Sequence, residues 1–146
     1  MASRSRIPTE GNPRCRAVVL ACIDFRFVEP LRRFLDDQGL TGDADLIGWP
    51  GGAAGMTTKD ASSIEAALEL AVALHEPSEL ILVAHHDCRR MGGSAAFPDQ
   101  ESENAMLHAA LERAAEIVCG RFPSLAVRLI RIDEFGAAIP VADGCA

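Results

Sequence analysis

Apolar runs alternate with helical patterns along the chain. That order predicts an α/β fold: three layers, with a central, mostly parallel sheet of four to five strands, strand order 2-1-3-4, and helices on both faces. The candidate strands are near-continuous apolar runs, as expected of parallel strands covered on both sides. Composition agrees. With 146 residues, 49% apolar and 24% charged, the chain suits one domain large enough to bury a core without staples.

The elements follow in order. A first strand spans Ala17 to Ile23, and a helix from Val28 to Gln38 stops at Gly39. A second strand runs from Ala44 to Trp49. The next helix, from about Asp60 to His75, sets Ile64, Leu68 and Val72 on one face and has Pro77 just beyond its end. A third strand spans Leu80 to Ala84. The longest helix runs from about Glu101 to Arg121, with Met106, Leu107, Leu111 and Val118 inward, and ends before Pro123. A fourth strand covers Ala126 to Ile132. The piece from Gly136 to Ala146 is too short for a domain and is expected to pack on a neighbour or fray. Residues 1–16 hold Arg4, Arg6, Arg14 and Arg16 but lack the apolar centre of a secretory signal. They are expected to form a flexible N-terminal arm, leaving residues 17–146 as a single α/β domain.

Charge and composition exclude several partner classes. Acids outnumber bases 21 to 14, for a formal net charge of −7, so no nucleic acid is expected to bind. With no Tyr and one Trp there is no base-stacking platform. No run of about 18 apolar residues is present, so no membrane span is expected. The five cysteines are odd in number and no export signal accompanies them, which argues against a disulfide framework and for a cytoplasmic location. Cys119 reads as a small core residue in a helix and Cys145 as incidental. His75 and His108 lie in helices and carry no signal.

With strand order 2-1-3-4, strands 1 and 3 are neighbours whose connections leave in opposite directions. Open α/β sheets bind ligands in that crevice, at the carboxyl ends of the strands. The end of the first strand reads Cys22-Ile23-Asp24-Phe25-Arg26. In an extended segment Cys22, Asp24 and Arg26 share one face, with Ile23 and Phe25 turned into apolar packing. The third strand ends in His85-His86-Asp87-Cys88-Arg89-Arg90. Imidazole and thiolate are preferred zinc ligands, and His and Cys three apart can hold one ion where the chain turns. Either segment alone suits ordinary packing or a solvated loop. Together, Cys22, His85 and Cys88 bring three ligands to one point and leave zinc a fourth position, the catalytic pattern. Asp24 is the candidate to close that position.

The motif C-x-D-x-R at Cys22, Asp24 and Arg26, followed by H-x-x-C at His85 and Cys88, resembles the β-class carbonic anhydrases, over roughly residues 16 to 133. The resemblance implies Zn2+ held by Cys22, His85 and Cys88, making residues 17–146 a zinc-binding domain. It implies reversible hydration of carbon dioxide to bicarbonate by metal-bound hydroxide, since zinc lowers the pKa of bound water from about 15.7 to near 7. Asp24 and Arg26 are then the catalytic dyad: Asp24 accepts a hydrogen bond from the nucleophile, and Arg26, acting only through Asp24, holds that carboxylate off the metal. A homodimer or higher homo-oligomer, with the site near the subunit boundary, is also implied.

The chain departs from the family in places. Arg89 and Arg90 follow Cys88 where the family has Gly, and they form either an anion-attracting rim or pairs with nearby acids. Gly48 to Gly55 replaces a more polar run. There Gly51 and Gly52, with Arg89, are candidate substrate-binding residues, although the glycines could instead make only the turn. His86 is a candidate proton shuttle or an exposed loop residue. Alternative readings are hydrolysis of carbonyl sulfide or carbon disulfide on the same fold, a non-catalytic zinc-binding relative, and a redox pair of Cys22 and Cys88.

Overall fold

One five-stranded sheet organises the computed structural model, which describes residues 5–142, 144 and 145. The strands are β1 (Ala17–Ala21), β2 (Ala44–Gly48), β3 (Glu79–His85), β4 (Ala126–Ile132) and β5 (Ala138–Pro140), in the order β2-β1-β3-β4-β5. The first four are parallel, in the predicted order. The helices are α1 (Val28–Asp37), α2 (Ala61–His75) and α3 (Gln100–Arg121).

Alternation along the central strands divides the core in two. Val18, Leu20, Leu80, Leu82, Val127 and Leu129 face α2 and α3, meeting Ile64, Leu68, Leu107, Leu111 and Val118. The intervening residues Val19, Ile81, Val83, Ile130 and Ile132 meet Leu31 and Phe34 of α1 on the other face. Burial on both sides explains the continuous apolar runs. Helix α3 starts where the Asp99 side chain accepts the Ser102 backbone N–H at 2.7 Å. Helix α2 ends at Glu76 in the left-handed conformation, with φ 46°. No helix among the described residues is long and apolar enough to cross a membrane.

Three differences from the sequence reading have physical causes. First, of the two outcomes expected after Gly136, packing or fraying, packing holds for Ala138–Pro140, and it takes the form of a fifth, antiparallel edge strand on β4, with Ile130 opposite Pro140. The turn is set by Asp133, whose carboxylate accepts the Phe135 and Ala137 N–H groups at 2.9 Å each. Second, Cys119, which packs partly buried against the core as expected, forms a disulfide with Cys145, with Cα atoms 5.8 Å apart, so Cys145 is not incidental and the expectation of no disulfide is corrected. The tail returns along β4, where Val141 N–H donates to Leu129 O and Gly144 N–H to Val127 O, and this sets Cys145 against α3. Third, β1 stops at Ala21, so the Cys22–Arg26 segment is not extended.

Candidate metal centre

Cys22 leaves the end of β1, and His85 ends the adjacent β3. Cys88 follows three residues later, after a turn through Asp87 at φ 55°. One donor atom each of Cys22, His85 and Cys88 lies within 4.8 Å of the others, with His85 and Cys88 buried and Cys22 partly so. His85 Nδ1 lies 2.7 Å from the His86 carbonyl oxygen. That contact fixes the proton on Nδ1 and leaves Nε2 as a lone-pair acceptor. Nε2 is buried without a hydrogen-bond partner. The ring is also stacked on Phe27 at a centroid distance of 4.1 Å. An orphaned imidazole nitrogen beside two sulfurs fits a borderline-soft divalent ion.

The two sulfurs share charge unequally. A hydrogen bond from the Cys88 thiol holds the Cys22 thiol well below its ordinary range, and the Gly51 N–H adds to this. The neighbouring Cys22 thiolate, and then burial, push Cys88 up. Gly51 N–H donates to Cys22 Sγ at 3.3 Å. Gly51 (φ 91°) and Gly52 (φ 55°) are both left-handed. A Cβ on Gly52 would lie 2.6 Å from Cys22 N and 2.9 Å from Val83 O. Its lack of a side chain is therefore required by the protein's own backbone.

Asp24 and Arg26 are joined, but not by strand alternation. Asp24 caps a short 3-10 turn, Phe25–Phe27, accepting the Arg26 backbone N–H at 3.0 Å. The same turn swings the guanidinium back, with Nη2 2.6 Å from Asp24 Oδ2 and Nε 3.0 Å from Oδ1. This bidentate contact holds the Asp24 carboxyl below the usual range. Asp24 Oδ2 stands 3.9 Å from His85 Nε2. Because the segment turns, Ile23 and Phe25 do not enter the core: they are 61% and 84% exposed.

Arg26 has a second partner that sequence reasoning missed. Its Nη1 donates to Asp87 Oδ2 at 2.9 Å and its Nη2 to Asp87 O at 3.1 Å. Asp87 also accepts the Ser94 N–H at 2.8 Å, and its carboxyl is held far below its ordinary range, first by Ser94 and then by Arg26. Glu103 was missed as well. It sits on the first turn of α3, 1% exposed, and accepts Asp87 N–H at 3.0 Å, Ser94 Oγ at 2.8 Å and Gln100 Nε2 at 2.7 Å. Its Oε1 is 3.0 Å from His86 Nδ1, so His86 faces this anchor. The only sequence signal was an acidic residue in an otherwise apolar stripe, beside Met106 and Leu107.

A cavity of about 420 Å³ opens on this centre, lined by Cys22, Ile23, Asp24, Arg26, Gly51 and Arg89, among others. Arg89 Nε donates to Asp87 at 3.2 Å, and Arg90, also at the rim, donates to Asp60 at 2.8 Å. Both arginines thus pair with acids while lining the opening.

A family model described as "Putative carbonic anhydrase" matches residues 12–139. Uncharacterized proteins of Rickettsia conorii and Rickettsia bellii are 25% and 23% identical over 117 residues, 75% of this chain. The match covers 63% of the Rickettsia conorii protein and 71% of the other. The fold is similar to a solved β-carbonic anhydrase from Sordaria macrospora, described as tetrameric: TM-score 0.66, 15% identity, 92% of this chain and 84% of that one. It is also similar to one from Trichomonas vaginalis, with TM-score 0.62, 15% identity and coverage of 95% and 89%. A third, from Aspergillus fumigatus, gives TM-score 0.64 at 12% identity, with coverage of 94% and 95%.

Proposed function

The chain belongs to the carbonic anhydrase family, and from that premise we propose that it is a zinc enzyme interconverting carbon dioxide and bicarbonate. The observation that carries the reading is the buried, unpartnered His85 Nε2 grouped with the Cys22 and Cys88 sulfurs. Cys22, His85 and Cys88 would hold the ion, which supplies Lewis acidity that brings the pKa of a coordinated water near neutrality. Asp24 stays ionised through Arg26 and offers the acceptor that orients the attacking oxygen. Arg26, pinned also by Asp87, keeps that carboxylate from turning inward. Ile23 gives the cavity an apolar wall suited to a nonpolar gas, and the Arg89 and Arg90 guanidiniums at the rim attract the anionic product.

A homodimer, or a multiple of one, belongs to the same proposal. It is supported by Ile23, Phe25, Val28 and Leu46, exposed apolar side chains beside the centre.

Metal analysis with stopped-flow hydration of carbon dioxide on one purified sample tests the proposal. Zinc with activity is expected, and Cys88→Ser should lose the activity together with the ion held by Cys22, His85 and Cys88. Zinc with turnover of carbonyl sulfide or carbon disulfide instead would change the substrate. Zinc without any turnover would leave a binding domain, and a readily formed Cys22–Cys88 disulfide without zinc would make this a redox protein.

A further inference from the structure

At the opposite end of the sheet, Cys15, Asp45 and His75 converge. Cys15 lies two residues before the start of β1, Asp45 is the second residue of β2, and His75 ends α2. One donor atom from each lies within 4.8 Å of the other two, and all three residues are partly buried. The cluster stands on the order of 20 Å from Cys22, the rise of the intervening chain. We propose that Cys15, Asp45 and His75 form a second divalent-metal site, with zinc or cobalt as the ion it takes.

The cysteine inventory isolates this thiol. Cys22 and Cys88 belong to the first cluster and Cys119 and Cys145 to the disulfide, so Cys15 is the remaining one. It sits beside a carboxylate and an imidazole already aligned with each other. His75 Nδ1 is 2.7 and 2.9 Å from the two Asp45 oxygens. Two ligands on one tetrahedral zinc, with bonds of about 2.0–2.1 Å, stand about 3.3 Å apart, so the pair need open only slightly. The framework is fixed by backbone bonds: Cys15 N–H donates to His75 O at 3.2 Å, and Arg16 N–H to Asp43 O at 3.0 Å.

Charge and donor type select the ion. A thiolate and a carboxylate cancel a dication, and a neutral imidazole completes a borderline-soft set that suits zinc or cobalt better than magnesium or calcium. The C-terminal end of α2 adds partial negative charge at His75. The Cys15 thiol points to Ala17 O at 3.2 Å, and metal binding releases that proton to solvent and shifts the His75 ring proton from Nδ1, where it faces Asp45, to Nε2, so that Nδ1 offers its lone pair. Because the thiol donates there and not to His75, the trio is not arranged as a nucleophile and its base.

The test is zinc stoichiometry of the full chain at buffered free zinc, read by chelator release, with cobalt substitution to report thiolate ligation by its charge-transfer absorption. The wild type is expected to bind about two ions per chain, and Cys15→Ser and His75→Ala about one each. Cys88→Ser should keep about one ion with a cobalt–thiolate band, and adding Cys15→Ser should abolish it. That arm separates this site from the first: a Cys15-dependent ion in Cys88→Ser supports the second site whether or not the first reading survives. If Cys15→Ser binds as much zinc as the wild type, or if Cys88→Ser binds none, the proposal is overturned. Asp45→Asn, near in shape, replaces any variant whose circular dichroism shows misfolding, and it must lower stoichiometry in the same way.

Discussion

Gly52 shows how tightly single residues are constrained at the candidate centre. An added methyl would meet Cys22 N at 2.6 Å and Ala21 C at 2.9 Å, both backbone atoms that cannot swing aside, at a left-handed φ of 55°. Gly52→Ala is therefore expected to destabilise by about 2 kcal/mol or more, measured as a drop in urea midpoint at constant slope. Asp24→Ala is expected to lower carbon dioxide hydration by about 100-fold while zinc content stays unchanged, since three other ligands remain. Arg26 bonds Asp87 as well as Asp24, which gives it a contact independent of Asp24. The Asp24→Ala/Arg26→Ala double variant should consequently be slower than Asp24→Ala. Stopped-flow rates equal for the two would show the Asp87 contact to be idle.

At the scale of elements, the start of α3 anchors the loop that carries Cys88. Glu103 accepts from Asp87 N–H, Ser94 Oγ and Gln100, and removing it leaves three partly buried donors unpaired. Glu103→Ala is expected to cost about 2 kcal/mol or more in denaturant unfolding, since each stranded buried group costs about 1–3 kcal/mol. Burial pushes the Glu103 carboxyl up, but the bonds from Ser94, Asp87 N–H and Gln100 outweigh it, and its pKa in the folded state lies below the ordinary value. A depressed folded pKa gives stability that is complete above the unfolded value, about 4.3, and is lost as pH falls through the lower folded one. Thermal unfolding measured downward from pH 5 should therefore show a loss of stability in wild type that is smaller in Glu103→Gln. An equal loss in both would mean that Glu103 is not the titrating anchor.

For the molecule as a whole, the C-terminal segment closes the structure. Strand β5 covers the edge of β4, and the Cys119–Cys145 disulfide closes a loop with a sequence separation of 26. A crosslink of that span restricts the unfolded chain by about 3.5 kcal/mol in the chain-entropy description. Reduction with dithiothreitol, or Cys145→Ser, is expected to lower stability by that order without removing metal from the Cys22–His85–Cys88 cluster. Calorimetry with parallel zinc analysis checks both halves.

The sheet order, the three helices and the grouping of Cys22, His85 and Cys88 were legible in the sequence because they depend on local rules. Apolar runs mark doubly covered strands, Gly39, Pro77 and Pro123 mark helix ends, and parallel connectivity makes strands 1 and 3 neighbours. The joining of Asp24 to Arg26 was also legible, though for a different reason: a capped 3-10 turn brings them together, not strand alternation, and Ile23 and Phe25 are exposed in consequence. What only the tertiary structure decided was the remaining contacts between segments far apart in the chain. Asp87 meets Arg26 across 61 residues, and Glu103 reaches Asp87 across 16. Asp45 meets His75 across 30, and Cys145 returns to Cys119 only because β5 turns the chain back along β4. Such pairs carry no local periodicity. Their partners are chosen by where the packed layers place them, and a buried carboxylate such as Glu103 is tolerated only where those layers supply the donors to satisfy it.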